Sequence, residues 1–152
     1  MTAEPTATPA PLDGPAGGEA GLPYLIARVE HTIAGRANLA LGALGLTIRQ
    51  MGALDIVSRS PGISSVELAR QVLVTRQTMN SMIVDLAAKG AIRRTPTGTG
   101  RTIALALTDE GAALLAKAQE IAKNVEREVL GALDTDEVAT LHALLRKILH
   151  SA

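Results

Sequence analysis

The chain has almost no aromatic side chains from which to build a hydrophobic core. Its 152 residues include one Tyr and neither Phe nor Trp, although 47% of them are hydrophobic. The core must therefore be filled by Leu, Ile, Val, Ala and Met, a set of residues that suits helices better than sheets. The length corresponds to about one domain. We therefore expect a mainly α-helical domain.

The first residues of the chain have a different composition from the rest. Residues 1–21 are rich in Pro, Ala, Gly and Thr and show no apolar periodicity, which predicts a disordered tail. The tail lacks the basic start and apolar run of a signal peptide, and no later stretch approaches the roughly 18 apolar residues of a membrane span. We therefore expect a cytoplasmic protein without a membrane partner.

The residues that usually carry metal or covalent chemistry are scarce. The chain has no cysteine, which excludes disulfides, thiolate metal sites and cysteine-based redox sensing. His31, His142 and His150 have no ligand partner at a metal-site spacing. The sequence also lacks a phosphate-binding glycine loop and a nucleophile motif. We therefore expect no metal, no cofactor and no enzymatic activity.

Charge is distributed unevenly although the formal net charge is zero. Residues 1–55, 56–108 and 109–152 carry net charges of −2, +5 and −3, counting Lys and Arg against Asp and Glu. A localised basic segment within a balanced chain is typical of an anion-binding face such as that of a nucleic-acid binder. The alternative is an ordinary solvated surface.

Apolar periodicity and capping residues predict six helices and one hairpin. The predicted helices span residues 22–44, 48–58, 65–72, 76–89, 109–133 and 135–150, with Thr47, Ser64, Thr75 and Thr108 as N-caps. A loop of Pro, Thr and Gly at 96–100 separates two strand-like arms, which predicts a hairpin wing. Two short helices joined by a tight turn and followed by a wing indicate a winged helix-turn-helix.

The helix predicted over 76–89 has two different faces. Met79, Met82, Ile83 and Leu86 recur at the spacing of a buried stripe, while polar side chains and Val84 gather on the opposite face. Arg, Gln, Asn and Ser match the hydrogen-bonding groups of base edges in the major groove. We therefore predict that this polar face enters the groove of double-stranded DNA.

The predicted DNA contacts fall into three groups. The candidate base-reading residues are Arg76, Gln77, Asn80 and Ser81. The candidate phosphate contacts are Thr75 and Thr78 on the same helix, together with Ser64 and Ser65 at the start of the preceding helix, where free backbone N–H groups favour anions. Arg94 and Arg101 belong to the wing, and Arg101 at its tip is expected in the minor groove. For Arg94 the alternative is an ion pair within the fold.

The helices outside the lobe carry apolar stripes that the lobe is too small to cover. The helices at 22–44, 109–133 and 135–150 could bury these stripes between two chains, which predicts a symmetric dimer on a pseudo-palindromic site. The alternative is that the three helices close on themselves in a monomer.

Three stretches resemble, in order and spacing, the multiple-antibiotic-resistance regulator (MarR) family. They are LGLTIRQMGALDIV, GISSVELARQVLVTRQTMNSMIVDLAAKGAIRR and GRTIALALTDEG. The resemblance implies a single domain over 22–152, with a winged-helix lobe at 46–108 and dimerisation helices at 22–45 and 109–150. It also implies a nucleoid-associated homodimeric regulator, usually a repressor, that a small phenolic or anionic effector releases from DNA. One departure is Thr99, which stands where the family's wing usually has an Asp.

The sequence marks an effector site only weakly. Tyr24, Arg28 and His31 lie within two turns of the first helix, and Met51 could face them from the second, so that together they could hold an aromatic carboxylate. The alternative is that Tyr24 packs at a helix end and the other two are solvated. Two other functions stay open at this point: a winged helix that binds protein, and a constitutive DNA binder without a ligand.

Overall fold

The computed structural model describes residues 21–97 and 103–151. Its helices are α1 (Leu22–Leu41), α2 (Ile48–Arg59), α3 (Ser65–Val72), α4 (Arg76–Ala88), α5 (Asp109–Val129) and α6 (Thr135–Ser151), and its strands are β1 (Ile63–Ser64), β2 (Ile92–Pro96) and β3 (Ile103–Leu107). The mainly helical fold and the winged helix-turn-helix predicted from the sequence are therefore confirmed. The predicted tail, apart from Gly21, lies outside the described residues.

The first helix ends in a tighter turn than the sequence pattern predicted. The α-helix stops at Leu41, and a 3-10 turn over Gly42–Leu44 completes the predicted span. Gly45 then takes a left-handed conformation with φ 64°, and its N–H donates to the carbonyl of Gly42 at 2.9 Å. Glycine adopts this conformation at little cost, which is why the chain turns here.

The four predicted N-caps are confirmed. Each side-chain oxygen accepts a hydrogen bond from the N–H three residues further on, at Thr47, Ser64, Thr75 and Thr108. Of these four caps, the one at Thr47 forms a complete capping box. At Ser64 it is half formed, because the Glu67 carboxylate accepts hydrogen bonds from Arg70 and Gln71 and does not reach back to Ser64.

The prediction that the fifth helix reaches residue 133 was wrong. Helix α5 ends at Val129, and the N–H of Leu133 bonds to the carbonyl of Leu130 in a turn. At the start of α6, the side chains of Asp134 and Glu137 each accept a hydrogen bond from the backbone N–H of the other residue, at 2.9 Å. This reciprocal cap, which apolar spacing does not reveal, stops the chain from continuing as one helix.

The predicted wing hairpin joins a third strand that the sequence did not predict. Strand β3 pairs antiparallel with β2 on one side and with β1 on the other. Strand β1 is only two residues long, too short to show alternation in the sequence. It fixes the start of α3 against the base of the wing.

The core is aliphatic and is shared by the lobe and the long helices. Its largest fully buried side chains are Leu41, Leu54, Val57, Leu68, Met79, Leu86 and Leu105. They come from α1, α2, α3, α4 and β3. Tyr24, the one aromatic residue, is 43% exposed, so the core contains no aromatic ring.

No single helix among the described residues is long and apolar enough to cross a membrane. The segments Leu22–Leu44 and Ile48–Arg59 meet the length and composition criteria only as a pair, and the pair bends by 75° at its break.

Helix α5 begins in very close contact with the chain that leaves α4. The Thr108 N–H donates to the carbonyl of Ala91 at 3.1 Å, and the Thr108 hydroxyl donates to the carbonyl of Gly90. One turn into the helix, a Cβ added to Gly111 would lie 1.9 Å from the carbonyl oxygen of Ala91. This contact is possible only without a side chain at residue 111.

We expect Gly111→Ala to destabilise the fold by about 2–3 kcal/mol, because α5 must move away from Ala91 to admit the methyl group. Thermal unfolding at a fixed protein concentration measures this change. The control is Gly35→Ala within α1, where an added Cβ meets nothing within 4 Å and should stabilise by about 0.5–1 kcal/mol. Equal stability of the two variants would contradict the close contact.

Candidate nucleic-acid interface

The start of α4 is fixed by a pair of threonine hydroxyl groups. Thr75 accepts a hydrogen bond from the N–H of Thr78 at 3.1 Å, and the two hydroxyl oxygens lie 2.9 Å apart. Both residues are exposed, as their predicted role in phosphate contact requires. One of the two hydroxyl protons is used in the bond between them, and the other can be donated to a phosphate.

The buried face of α4 holds the opposite face out to solvent. Met79, Met82, Ile83 and Leu86 are at most 8% exposed, which confirms the predicted stripe. The residues of the outer face are all exposed: Arg76, Gln77, Thr78, Asn80, Ser81 and Val84. The structure therefore brings the four predicted base-reading residues together on one accessible surface.

The turn between α3 and α4 is tight and conformationally strained. Leu73 has φ 60°, a left-handed conformation that costs a residue other than glycine about 1–2 kcal/mol. The N–H groups of Leu73 and Val74 both bond to carbonyls at the end of α3. The turn therefore fixes α3 across α4 in the helix-turn-helix arrangement.

Ser64 and Ser65 lie where α3 begins, and both are half-buried. The Ser64 hydroxyl accepts from the N–H of Glu67 at 3.2 Å, so one of the free backbone donors is already satisfied. Hydrogen bonds from Arg70 and Gln71 lower the pKa of Glu67 to about 2. The carboxylate is therefore ionised, and its charge is offset by Arg70 in an exposed ion pair.

The wing carries a basic pair on its edge strand. Arg93 and Arg94 on β2 are both exposed, and they lie opposite Ala106 and Leu105 of β3. Within the described part of the chain, Arg76, Arg93 and Arg94 form no ion pair. The alternative prediction that Arg94 pairs with a carboxylate has no support there. Arg101 and Thr99 lie outside the described residues.

The four predicted effector residues do not share one hollow. Tyr24 and Arg28 are in contact, with the guanidinium carbon 5.8 Å from the ring centroid. His31 lines a hollow of about 850 Å³ between α1, α2 and the end of α3. Met51 instead lines an apolar hollow of about 360 Å³ that reaches α6.

Arg49 is a candidate effector residue that the sequence analysis missed. It lines the same hollow as His31, and its Nη1 makes a long hydrogen bond of 3.5 Å to the carbonyl of Val72. Arg49 lies in the first turn of α2, where a cation opposes the helix dipole. That unfavourable placement was the available signal in the sequence.

A second exposed surface is apolar and lies on α1 and α6. Helix α6 has no buried residue. Its large apolar side chains Leu144, Leu145, Ile148 and Leu149 are 41–77% exposed. Leu22, Leu25, Ile26 and Val29 on α1 are 44–62% exposed. Helix α6 contacts α5 through a hydrogen bond between His142 and Glu126 at 3.0 Å. This α1–α6 surface leaves large aliphatic side chains in water, as predicted for a dimer interface.

No group of three or more His, Cys, Asp or Glu residues that could hold a metal ion occurs in the described ranges. The exposed residues of the lobe present hydrogen-bonding groups and positive charge on a helix-turn-helix and a wing. These features define a winged helix-turn-helix protein of the nucleic-acid-binding class.

Comparison with known proteins specifies the family within that class. The MarR family model matches residues 44–101. The HTH-type transcriptional repressor Rv2887 of Mycobacterium tuberculosis is 34% identical over 131 residues, covering 86% of this chain and 94% of that protein. The chain belongs to the MarR family, which consists of transcription regulators.

Solved structures of that relative have the same fold. Rv2887 in complex with p-aminosalicylic acid matches with a TM-score of 0.74 at 35% identity, covering 85% of this chain and 98% of that one. Rv2887 in complex with DNA also matches with a TM-score of 0.74, at 33% identity, covering 86% of this chain and 98% of that one.

Proposed function

We propose that the protein is a homodimeric transcriptional repressor that binds a pseudo-palindromic operator and is released by a small aromatic anion. The observation that carries the proposal is the outer face of α4, where hydrogen-bonding side chains are held in solvent by a fully buried inner face. Such a face fits the major groove. Because its target is chromosomal DNA, we place the protein in the cytoplasm, associated with the nucleoid.

In this proposal each DNA-contacting residue has one of two tasks. Gln77, Asn80 and Ser81 contact base edges, together with Arg76 at the start of the helix. Contacts to phosphates or to the minor groove come from the hydroxyls of Thr75 and Thr78, from the start of α3 at Ser64 and Ser65, and from the wing arginines Arg94 and Arg101. Phosphate contacts position the lobe, whereas base contacts determine which sequence it prefers.

The dimer in this proposal is formed by the α1–α6 surface. Its exposed leucines, isoleucines and valine are buried against the same residues of a second chain. Such burial gives about 25 cal/mol for each Å² of apolar surface removed from water. A symmetric dimer presents two recognition helices related by a twofold axis, which is why the operator should be pseudo-palindromic.

The effector site in this proposal is the hollow lined by His31 and Arg49. The Arg49 guanidinium would bind the carboxylate, as guanidinium groups commonly do. Tyr24 and Arg28 precede His31 on α1 and would form the outer end of the site. The relative Rv2887 was solved with p-aminosalicylic acid and with DNA, which supports an aromatic anion as the effector class. Met51 remains a predicted contributor, although it lines a different hollow.

We expect selection of bound genomic fragments, followed by footprinting, to give protected half-sites about 10 base pairs apart. Asn80→Ala should weaken operator binding by roughly 5- to 100-fold, because it removes one base contact. The matched control is Asn124→Ala on α5, which is exposed and accepts a hydrogen bond from Arg127, and it should bind as wild type does. If no fragment is enriched at low salt, the DNA-binding proposal is wrong and a protein partner for α4 becomes the better explanation.

We expect the purified protein to sediment as a dimer and Ile148→Glu to sediment as a monomer. Ile148 is 52% exposed on the apolar side of α6, and a carboxylate there would have to be desolvated in the interface. Ala143→Glu adds the same charge at another exposed position of α6 and should leave the dimer intact. A monomeric wild type would contradict the dimer proposal.

We expect isothermal titration with salicylate to show binding that Arg49→Ala weakens at least about tenfold, since a charged hydrogen bond contributes roughly 1.5–3 kcal/mol. Arg36→Ala, an exposed arginine of α1 outside the hollow, is the control. Arg28→Ala tests the outer end of the site in the same assay. Unchanged salicylate binding by Arg49→Ala would remove this residue from the effector site.

A further inference from the structure

Val84 is the one residue of the outer face of α4 with a purely aliphatic branched side chain. It is 56% exposed, whereas the apolar residues on the buried side of the same helix are at most 8% exposed. A valine in this position contributes nothing to the core. Its branched Cβ also lowers helix propensity relative to Ala. Neither folding nor helix formation therefore accounts for a valine here.

The position of Val84 aligns it with the predicted base-reading residues. Gln77, Ser81 and Val84 are spaced at i, i+4 and i+7, so that they form one line along the helix. The Ser81 hydroxyl donates to the carbonyl of Gln77 at 3.3 Å. The line therefore changes from hydrogen-bonding groups in the first half of α4 to an aliphatic group in the second.

The charge next to Val84 disfavours a phosphate contact at this part of the helix. Asp85 is exposed, and it forms no ion pair within the described residues. An unpaired carboxylate repels the DNA backbone. The bases, and not the phosphates, are therefore the surface that Val84 can approach.

We propose that Val84 reads the C5 methyl group of a thymine in each half-site of the operator. The inference rests on the proposed function, because it requires α4 to lie in the major groove. The thymine methyl is the apolar group that base pairs present in that groove. Contact with such a group would remove a valine on the groove-facing line from water. Val84 is thus a specificity-determining residue.

Replacing thymidine by deoxyuridine removes this methyl group and leaves the hydrogen-bonding pattern of the base pair unchanged. The experiment replaces each thymidine of one operator half-site in turn and measures the affinity of wild type and Val84→Ala. For wild type, we expect one position at which the replacement weakens binding by about fourfold, the effect of burying one methyl-sized group. For Val84→Ala, the same replacement should have no effect.

Two further variants separate this contact from general effects on α4. Val84→Thr keeps one γ-methyl group and should retain the sensitivity to deoxyuridine. Leu39→Ala removes another exposed aliphatic side chain, 85% exposed on α1, and should behave as wild type. Val84→Ala itself should fold normally, because Ala favours the helix.

Equal effects of every replacement on wild type and Val84→Ala would overturn the thymine contact. Operator binding, and with it the proposed function, would then stand. Loss of sequence-specific binding by the wild type would instead defeat both the proposed function and the inference that rests on it.

Discussion

The fold depends on a close contact between the start of α5 and the chain that leaves the recognition helix. Thr108 hydrogen-bonds to the carbonyls of Gly90 and Ala91, and Gly111 lets the α5 backbone approach the Ala91 oxygen without a Cβ between them. These contacts link the end of α4 directly to the start of α5. Because α5 leads into the α6 part of the proposed dimer interface, this contact would determine the spacing of the two recognition helices in such a dimer.

Local sequence signals predicted the elements of this structure better than the contacts between them. The spacing of Met79, Ile83 and Leu86 predicted the buried side of α4. The four capping residues predicted where their helices begin. These are interactions within a few residues. Three features arise between distant segments of the chain: the close approach at Gly111, the pairing of β1 with β3, and the hollow lined by Arg49. The periodicity of a single sequence contains no information about such contacts.

The uneven charge of the chain is explained by how its acidic groups are used. Glu67 is paired with Arg70 beside the start of α3, and Asp55 is paired with Arg59 on α2. Within the described residues, Arg76 on α4 and Arg93 and Arg94 on β2 have no carboxylate partner. Positive charge is thereby left without a carboxylate partner on α4 and on the wing strand β2. A chain of zero net charge can present a basic DNA-binding surface in this way.

The hydrogen bond from Arg49 to Val72 gives the proposed effector site a physical connection to the DNA-binding surface. Val72 is the last residue of α3, and the strained Leu73 turn that follows it determines the angle at which α4 begins. In the proposed site, a carboxylate bound in the hollow would compete for the same guanidinium and would weaken its bond to Val72. A tenfold loss of DNA affinity requires only about 1.4 kcal/mol of coupling between the two sites. A typical hydrogen bond contributes about 0.5–1.5 kcal/mol net, so in the proposed response the loss of this long bond would supply part of that coupling.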